Sequence, residues 1–181
     1  MVIDCQNDFI DGVLGTDEAR ARVSNIAKFI RDFDGKVMAT RDTHTENYLK
    51  TFEGKRLPIP HCIVDSSIIR NTGVISDGAS NGWKINDEIA EALKTKRGVE
   101  LFNKSSFGAF SYIRHMDRSE IDEIVLVGFC TDICVISNAL ILRTTFQSTP
   151  ITVVENCCAG TTPEKHKAAL EVMKSCQIDV V

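Results

Sequence analysis

Cys134 is the first candidate for chemistry, because it follows a predicted buried strand where a helix is expected to begin. It stands in the segment GFCTDICV (residues 128–135), after the aliphatic run IVLV (residues 124–127). A thiol in the first turn of a helix lies near the positive end of the dipole and near free backbone N–H groups. Both favour the thiolate, and the N–H groups can hold an oxyanion. Thr131 and Asp132 have side chains suited to capping this helix.

Other roles remain open for these cysteines. A buried structural cysteine is the common role of this residue type, and it is the alternative for Cys134. Cys130 is a competing nucleophile, although it sits at the strand end rather than on the helix. The two thiols could instead form a redox pair, but their spacing differs from the C-x-x-C signature. Cys157 and Cys158 are expected to serve packing after a strand.

Two ionisable residues follow other apolar runs. Asp4 comes directly after Ile3, and a carboxylate beside apolar residues can have a raised pKa and act as a general base. A turn-capping role is the alternative for Asp4. Lys104 lies in the segment FNKSSF (residues 102–107), just after a predicted strand. Taken alone, this residue is typical of a solvated surface lysine.

A third group contains ligand types that divalent metals prefer. Asp42 and His44 follow a predicted strand, and His61 comes later in the segment LPIPHC (residues 57–62). Carboxylate and imidazole groups bind Zn²⁺ and related ions, so these three residues predict a metal site. The two remaining candidate histidines, His115 and His166, stand among charged residues and are expected to be exposed.

The elements that must position these residues alternate between strands and helices. The predicted strands are residues 2–3, 36–40, 100–102, 124–129, 151–154 and 178–181, and the predicted helices are residues 16–34, 86–96, 134–146 and 163–175. This alternation predicts a three-layer α/β/α fold with a mostly parallel central sheet. Sites in such folds lie at the carboxyl ends of the strands. The polar residues there are Asp4, Asp42, His44, Lys104, Thr131 to Cys134, Glu155 and Asn156.

Bulk composition is typical of one domain over residues 1–181, and the weak periodicity of residues 65–80 favours an insertion there. The chain has 181 residues, 43% hydrophobic residues and a formal charge of -4, so neither a nucleic-acid partner nor a membrane span is expected. Seven scattered cysteines favour reduced thiols and a cytoplasmic location. Asp4 interrupts the first apolar residues, so no signal peptide is expected. Met1–Ile3 is typical of the end of a strand that is either short or has lost its beginning.

Three segments together resemble the isochorismatase-like cysteine hydrolases. The opening DCQNDF (residues 4–9) is similar to their D-x-Q-N-D-F motif, KSSF (residues 104–107) to their K-x-x-F segment, and GFCTDICV to their G-x-x-T-D-x-C-V turn. The three motifs occur in the family's order and cover nearly the whole chain. The resemblance implies an α/β hydrolase with Asp4, Lys104 and Cys134 as a catalytic triad.

The resemblance also implies how the triad would act. Cys134 would attack an amide carbonyl after Asp4 takes its proton, and Lys104 would stabilise the charges. Backbone N–H groups of Cys130 and Cys134 would hold the oxyanion, and the Phe129–Cys130 peptide bond would be cis. By residue type, Phe9 could stack on an aromatic ring of the substrate or serve as a core aromatic, and Cys130 is the other predicted substrate contact. Trp83 could stack on an aromatic ring, although a core position is the simpler expectation for this residue.

Within this superfamily, the metal residues resemble those of the nicotinamidases, in which the ion binds the pyridine nitrogen of the substrate. Zn²⁺ is expected first, with Mn²⁺ or Fe²⁺ as alternatives. The middle histidine of the usual pattern has no counterpart, since Lys50 stands close to its place. Glu53 could supply the fourth ligand beside Asp42, His44 and His61, or it could be a solvated loop residue. The implied reaction is nicotinamide hydrolysis, within pyridine nucleotide salvage.

Two further functions stay open from the sequence. A related amidase acting on a non-pyridine amide or ureide would leave the metal site empty or remodelled. A catalytically silent binding subunit would carry the fold without turnover. In the enzyme hypotheses the partner is a small amide, and homo-oligomer formation is expected by analogy with the family.

Overall fold

The computed structural model describes residues 1–67 and 79–181, without the side chains of residues 114 and 115. The predicted insertion at residues 65–80 lies mostly outside the described residues, and so does the side chain of His115. The strands are β1 (Val2–Ile3), β2 (Met38–Asp42), β3 (His44–Thr45), β4 (Ile63–Val64), β5 (Glu100–Lys104), β6 (Ile124–Phe129), β7 (Ile151–Ala159) and β8 (Asp179–Val180). The α-helices are α1 (Asn7–Ile10), α2 (Asp17–Asp32), α3 (Asp87–Lys94), α4 (Ile136–Thr145) and α5 (Pro163–Ser175).

Six strands form the central sheet in the order β5-β2-β1-β6-β7-β8, and every neighbouring pair is parallel. This arrangement confirms the predicted parallel sheet. Strands β3 and β4 form a separate parallel pair. Because all six strands run the same way, their carboxyl ends share one edge, which carries the predicted site residues.

Helices cover both faces of the sheet and complete three layers. On one face, Ile26 of α2 and Ile89 of α3 are fully buried in a core cluster that also contains Val2 and Val127. The opposite cluster contains Leu142 of α4, with Met173 of α5, Ile3 and Leu126. Successive strand residues point to opposite faces, so neighbours such as Val2 and Ile3 serve different clusters.

Contact between β1 and β6 is unusually close at Gly128, which has a φ of 126°. A Cβ at this position would lie 2.0 Å from the carbonyl oxygen of Ile3. The backbone conformation and the close approach both require glycine there. This glycine therefore lets the strand end that bears Asp4 lie directly beside the start of the nucleophile turn.

Several element boundaries differ from the sequence prediction. Strand β2 covers residues 38–42 rather than 36–40, and β5 covers residues 100–104 rather than 100–102, so Asp42 and Lys104 end their strands instead of following them. The helix expected to begin at Cys134 starts earlier, because Thr131–Val135 forms a π-helical turn that continues into α4. Strand β7 runs on to Ala159, so Glu155 and Asn156 do not follow the strand but lie exposed inside it. The pairing of β7 with β6 shifts register in this region and then resumes at Cys158. Cys157 and Cys158 are buried, as predicted for packing residues, but lie within the strand.

All seven cysteines lie in the described residues, and their thiols are free. Among the described residues, no helix is long and apolar enough to cross a membrane.

Candidate active site

Asp4, Lys104 and Cys134 come together at the carboxyl edge of the sheet. Asp4 follows β1, Lys104 is the last residue of β5, and Cys134 lies in the π-helical turn after β6. The Lys104 Nζ lies 2.6 Å from Asp4 Oδ2 and 3.5 Å from Cys134 Sγ. The side chains of Lys104 and Asp4 are 1% and 0% exposed. Three groups that can exchange protons are therefore enclosed beside one another.

Burial and mutual charge set the protonation of this triad. Burial raises the pKa of Asp4, with the Asp42 charge adding to the rise and the Lys104 ammonium opposing it. Burial alone would lower the pKa of Lys104, but the charges of Asp4, Cys134 and Asp42 outweigh it and raise the pKa. The ammonium therefore stays charged between the two carboxylates.

The Cys134 thiol departs from the sequence prediction. Burial, followed by the charge of Asp4, raises its pKa well above the ordinary value, against the opposing effect of Lys104. The predicted depression of the thiol pKa by a helix N-terminus is therefore wrong for this resting structure. A neutral thiol needs a neighbouring base before it can attack a carbonyl, and Asp4 is a buried carboxylate with a raised pKa.

The Asp4 carboxylate is held by the neighbouring strand. Thr40 Oγ1 donates to Asp4 Oδ1 at 2.7 Å, and the Asp4 backbone N–H donates to the Thr40 carbonyl at 3.2 Å. Asp4 itself has a φ of 46°, a left-handed conformation that is uncommon outside glycine. Thr40 was not among the predicted site residues, because nothing in the sequence indicates which β2 residue faces the end of β1.

The nucleophile turn is held differently from the prediction. Thr131 and Asp132 do not cap the helix, since no side-chain hydrogen bond caps the start of the turn or the start of α4. Instead, Asp132 accepts from Thr161, with Oδ1 bonded to the backbone N–H at 2.8 Å and Oδ2 to the hydroxyl at 2.7 Å. Thr131 Oγ1 lies 2.8 Å from His166 Nδ1. His166 is therefore buried, and its predicted exposure is wrong.

The Phe129–Cys130 peptide bond that leads into this turn is cis, as the family resemblance predicts. The Cys130 carbonyl accepts from the backbone N–H groups of Ile133 and Val135 at 3.1 and 3.0 Å. Burial raises the pKa of the Cys130 thiol to about 12. Cys130 thus borders the triad as a neutral thiol.

The predicted metal residues form a second cluster beside the triad. One ligand atom from each of Asp42, His44, Glu53 and His61 lies within 4.8 Å of the others. Asp42 Oδ2 is 3.0 Å from His44 Nε2 and 3.3 Å from His61 Nε2. Glu53 Oε1 is 3.8 Å from His44 Nε2 and 3.7 Å from His61 Nε2. The structure thus brings Glu53 into the cluster rather than leaving it as a solvated loop residue.

The chemistry of this donor set fits a divalent transition metal. Two imidazole nitrogens and two carboxylate oxygens are a common ligand set for zinc and related ions. The His61 Nδ1 faces the Ile59 carbonyl at 2.8 Å, which directs the opposite ring nitrogen into the cluster. Burial alone would raise the pKa of Asp42, but hydrogen bonds with His44 and His61 outweigh it and lower the pKa. The cluster therefore presents an ionised carboxylate.

Strand register places the two clusters side by side. Asp42 and Lys104 are the last residues of β2 and β5, and they are direct partners across the ladder. The Lys104 Nζ lies 3.7 Å from Asp42 Oδ1, in addition to its contacts with Asp4 and Cys134. One ammonium therefore borders both the triad and the metal-ligand cluster.

The opening segment DCQNDF supplies support as well as Asp4. Gln6 Oε1 accepts from the Asp42 N–H at 2.6 Å, while its Nε2 donates to the carbonyls of Asp42 and Trp83 at 2.8 Å each. Asp8 Oδ2 accepts from the Cys62 N–H at 2.7 Å, next to His61. Through these buried contacts, one short motif holds the backbone at Asp42 and the backbone next to His61. The sequence shows the motif but not these roles.

Aromatic side chains pack around the ligands. The Phe9 ring meets the His61 ring edge-on at 5.7 Å, and Tyr48 lies 4.7 Å from His44 and 5.0 Å from His61 between ring centroids. Tyr48 is fully buried and was not predicted, since one tyrosine in a loop carries no pattern. Trp83 is a core residue, as expected, and its Nε1 donates to Thr43 Oγ1 at 2.9 Å.

Comparisons with known proteins agree with this architecture. Over 205 aligned residues the chain is 24% identical to a nicotinamidase of Schizosaccharomyces pombe, covering 100% of this chain and 91% of that protein. The crystal structure of a Bacillus subtilis nicotinamidase has a TM-score of 0.77 at 24% identity, covering 99% of this chain and 97% of that one. A Pyrococcus horikoshii pyrazinamidase in complex with zinc has a TM-score of 0.70 at 22% identity, with 99% and 96% covered.

The family is shown by a match over the entire length. The model of the isochorismatase domain matches residues 1–181, which include the triad and the metal-ligand cluster. The chain belongs to the isochorismatase domain family.

Proposed function

We propose that this protein is a metal-assisted cysteine amidohydrolase that converts nicotinamide and water to nicotinate and ammonia. The observation that carries the proposal is the shared position of Lys104, which borders both the triad and the cluster of Asp42, His44, Glu53 and His61. Such a site suits a substrate with a carboxamide at one end and a metal-binding nitrogen nearby. The names of the Schizosaccharomyces pombe and Bacillus subtilis relatives support the same activity.

Attack begins with proton transfer from Cys134 Sγ to Asp4. The raised pKa of Asp4 makes its carboxylate a stronger base and favours this transfer, whereas the raised pKa of the Cys134 thiol opposes it. The Lys104 ammonium, 3.5 Å from Sγ, stabilises the thiolate as it forms. The sulfur then bonds to the carboxamide carbon, and the carbonyl π electrons move to oxygen.

Collapse of the tetrahedral intermediate releases ammonia. The backbone N–H groups of Cys130 and Cys134 hold the oxyanion while it exists. The C–N bond breaks, Asp4 returns its proton to the leaving nitrogen, and a thioester on Cys134 remains. A water molecule then attacks this thioester. Its proton passes through Asp4 to the sulfur, which restores the thiol and releases the carboxylate product.

Asp42, His44, Glu53 and His61 would hold a divalent ion, with Zn²⁺ proposed first and Mn²⁺ or Fe²⁺ as alternatives. When bound, the ion supplies an electron-pair acceptor for a ring nitrogen, which favours pyridine carboxamides over benzamide. Phe9 and Cys130 are the proposed contacts for the substrate ring. A cytoplasmic location and a homo-oligomer are proposed on the family resemblance alone.

Ammonia release from nicotinamide by purified protein tests this function. We expect release that disappears after chelation and returns on adding Zn²⁺, Mn²⁺ or Fe²⁺. Benzamide, which lacks the ring nitrogen, is the matched control and should be turned over far more slowly. Folded protein that releases no ammonia with any of these ions would overturn the nicotinamidase proposal. A panel of small amides and ureides would then test the related-amidase alternative, and a silent subunit would hydrolyse none of them.

A further inference from the structure

Asn138 is a polar residue on the buried face of α4. It is 0% exposed and lies one turn beyond Cys134, between Val135 and Leu142 of the core. A buried amide without partners would be costly, so its hydrogen bonds indicate what it does.

The four hydrogen-bonding positions of this amide are all used. Nδ2 donates to the Cys134 carbonyl at 2.7 Å and to the Phe107 carbonyl at 3.1 Å. Oδ1 accepts from the Ala109 N–H at 3.2 Å and from the Tyr112 hydroxyl at 2.7 Å. Two carbonyls need donors and an N–H needs an acceptor, so the partners fix the orientation of the amide.

These partners lie on two separate parts of the site. The Cys134 carbonyl belongs to the nucleophile turn, whereas Phe107, Ala109 and Tyr112 lie in the segment that follows Lys104 at the end of β5. Gly108 of this segment also packs closely on α4, since a Cβ there would lie 2.5 Å from Ile141 Cδ1. Asn138 therefore joins the element that carries the thiol to the element that carries the ammonium.

We propose that Asn138 is a positioning residue that sets the distance between the Lys104 ammonium and the Cys134 sulfur. The proposal rests on the proposed cysteine hydrolase reaction, in which that 3.5 Å contact stabilises the forming thiolate. Asn138 touches neither the sulfur nor the ammonium in the described contacts. It acts through the Cys134 carbonyl on one side and through the segment that contains Phe107 and Tyr112 on the other.

The main test compares Asn138→Asp with the wild-type protein. The carboxyl group keeps the two acceptor contacts but offers at most one donor, and only when protonated, so at least one contact with the carbonyls of Cys134 and Phe107 is lost and the link between the two elements is weakened. Alkylation of Cys134 by iodoacetamide at pH 8 measures the result, with tandem mass spectrometry separating Cys134 from Cys130. We expect alkylation to slow about tenfold, and kcat for nicotinamide to fall about tenfold with KM within about twofold.

Leu142→Val is the matched control, because it lowers stability in the same helix without touching the link. It should leave the alkylation rate and kcat unchanged at temperatures below its own unfolding. Wild-type rates in folded Asn138→Asp, or equal losses in Leu142→Val, would overturn the proposal. If Asn138→Asp does not fold, Tyr112→Phe tests the proposal instead, because it removes only the hydrogen bond from the Tyr112 hydroxyl to Asn138 Oδ1. It should slow alkylation by about twofold to threefold, and an unchanged rate would refute the proposal.

Alkylation needs no substrate, so the two proposals can fail separately. Slower alkylation of Asn138→Asp, together with no nicotinamide turnover by the wild-type protein, would refute the proposed substrate while supporting the positioning role. Normal turnover by wild type with unchanged alkylation and kcat in Asn138→Asp would refute the positioning role alone.

Discussion

At the residue scale, Lys104 balances charges that would otherwise repel. Its ammonium lies 2.6 Å from Asp4 and 3.7 Å from Asp42, and all three side chains are buried. Removing one partner of a buried ion pair leaves the other charge without compensation. The lysine therefore contributes to the folded state as well as to the proposed reaction.

Lys104→Met should lower the free energy of unfolding by about 3–5 kcal/mol at pH 8, measured by urea denaturation. The double variant Asp4→Asn/Lys104→Met should recover part of this loss. The pKa of Asp4 is raised on folding, so the folded state holds the proton more tightly and gains stability as pH falls. Without the opposing ammonium, this effect grows, and the deficit of Lys104→Met should shrink from pH 8 to pH 5.

Lys28→Met is the control for this experiment, because Lys28 pairs with Asp32 on the surface with side-chain exposures of 78% and 62%. An exposed pair of this kind contributes about 0–1 kcal/mol. Equal losses in the two lysine variants would show that the buried pair has no special role.

The two cysteines of the nucleophile turn should behave differently on substitution. Cys134→Ala should abolish ammonia release, because no other described sulfur lies against the Lys104 ammonium. Cys130→Ala should reduce kcat/KM by less than about tenfold, since it removes a substrate contact but leaves a backbone N–H in place. Release of ammonia under steady-state conditions measures both. Equal abolition in both variants would favour the redox pair over a single nucleophile.

The family resemblance was enough to predict that the triad residues meet, but not their protonation, and the sequence left the place of Glu53 open. Asp4, Lys104 and Cys134 lie together as predicted, and Glu53 joins the metal-ligand cluster. The direction of the Cys134 pKa was wrong, because desolvation depends on everything packed around the sulfur. A local sequence pattern predicts that Cys134 lies near the start of a helix, but it does not predict how deeply the sulfur is buried.

At the element scale, the segment from β1 to α1 holds the backbone of the metal-ligand cluster at two places. Gln6 holds both backbone groups of Asp42, and Asp8 holds the backbone beside His61. Gly82 packs directly against the Asp8 side chain, since a Cβ on Gly82 would lie 2.1 Å from the Asp8 carboxyl group. Contacts beyond the ligands themselves commonly tune metal affinity.

Gln6→Leu should therefore weaken zinc binding by about 10–100-fold, measured by competition with a chromophoric chelator. Leucine has a similar size but cannot hold the N–H and carbonyl of Asp42. Asn7→Ala is the control, because the amide of Asn7 donates to the Asn81 carbonyl at an exposed position. Unchanged zinc affinity in folded Gln6→Leu would show that Asp42 is positioned without this contact.

The regular elements were predictable to within a few residues because their periodicity is local. Helix α5 and strand β6 have the predicted bounds. Strand β7 extends past the polar pair Glu155 and Asn156, because its last residues pair again with β6 after a shift in register. That extension depends on a partner strand far along the chain, so no local pattern indicates it.

At the scale of the whole molecule, the two faces of the sheet provide stability away from the site. Ile26→Ala should cost about 2–5 kcal/mol of unfolding free energy in urea denaturation, since Ile26 is fully buried between α2 and the sheet. Val172→Ala, at a position 48% exposed on α5, should stay within about 0.5 kcal/mol. Both should keep wild-type KM and kcat below their unfolding temperatures. A fall in kcat for Ile26→Ala would show that this core is coupled to the site.

Strand β1 lies inside the sheet, between β2 and β6, and this position affects folding during synthesis. The first strand of the chain pairs with β6, where Val2 is the partner of Val127. During synthesis, Asp4 leaves the ribosome before Phe129 does, so it has no completed surroundings until residues beyond Phe129 have also emerged. The long sequence separation of β1 and β6 slows this pairing, because the chain between them must lose conformational entropy before the contacts between the strands stabilise it. Nascent chains that stop before β6 would contain Asp4, Lys104 and all four metal ligands, yet would lack Cys134.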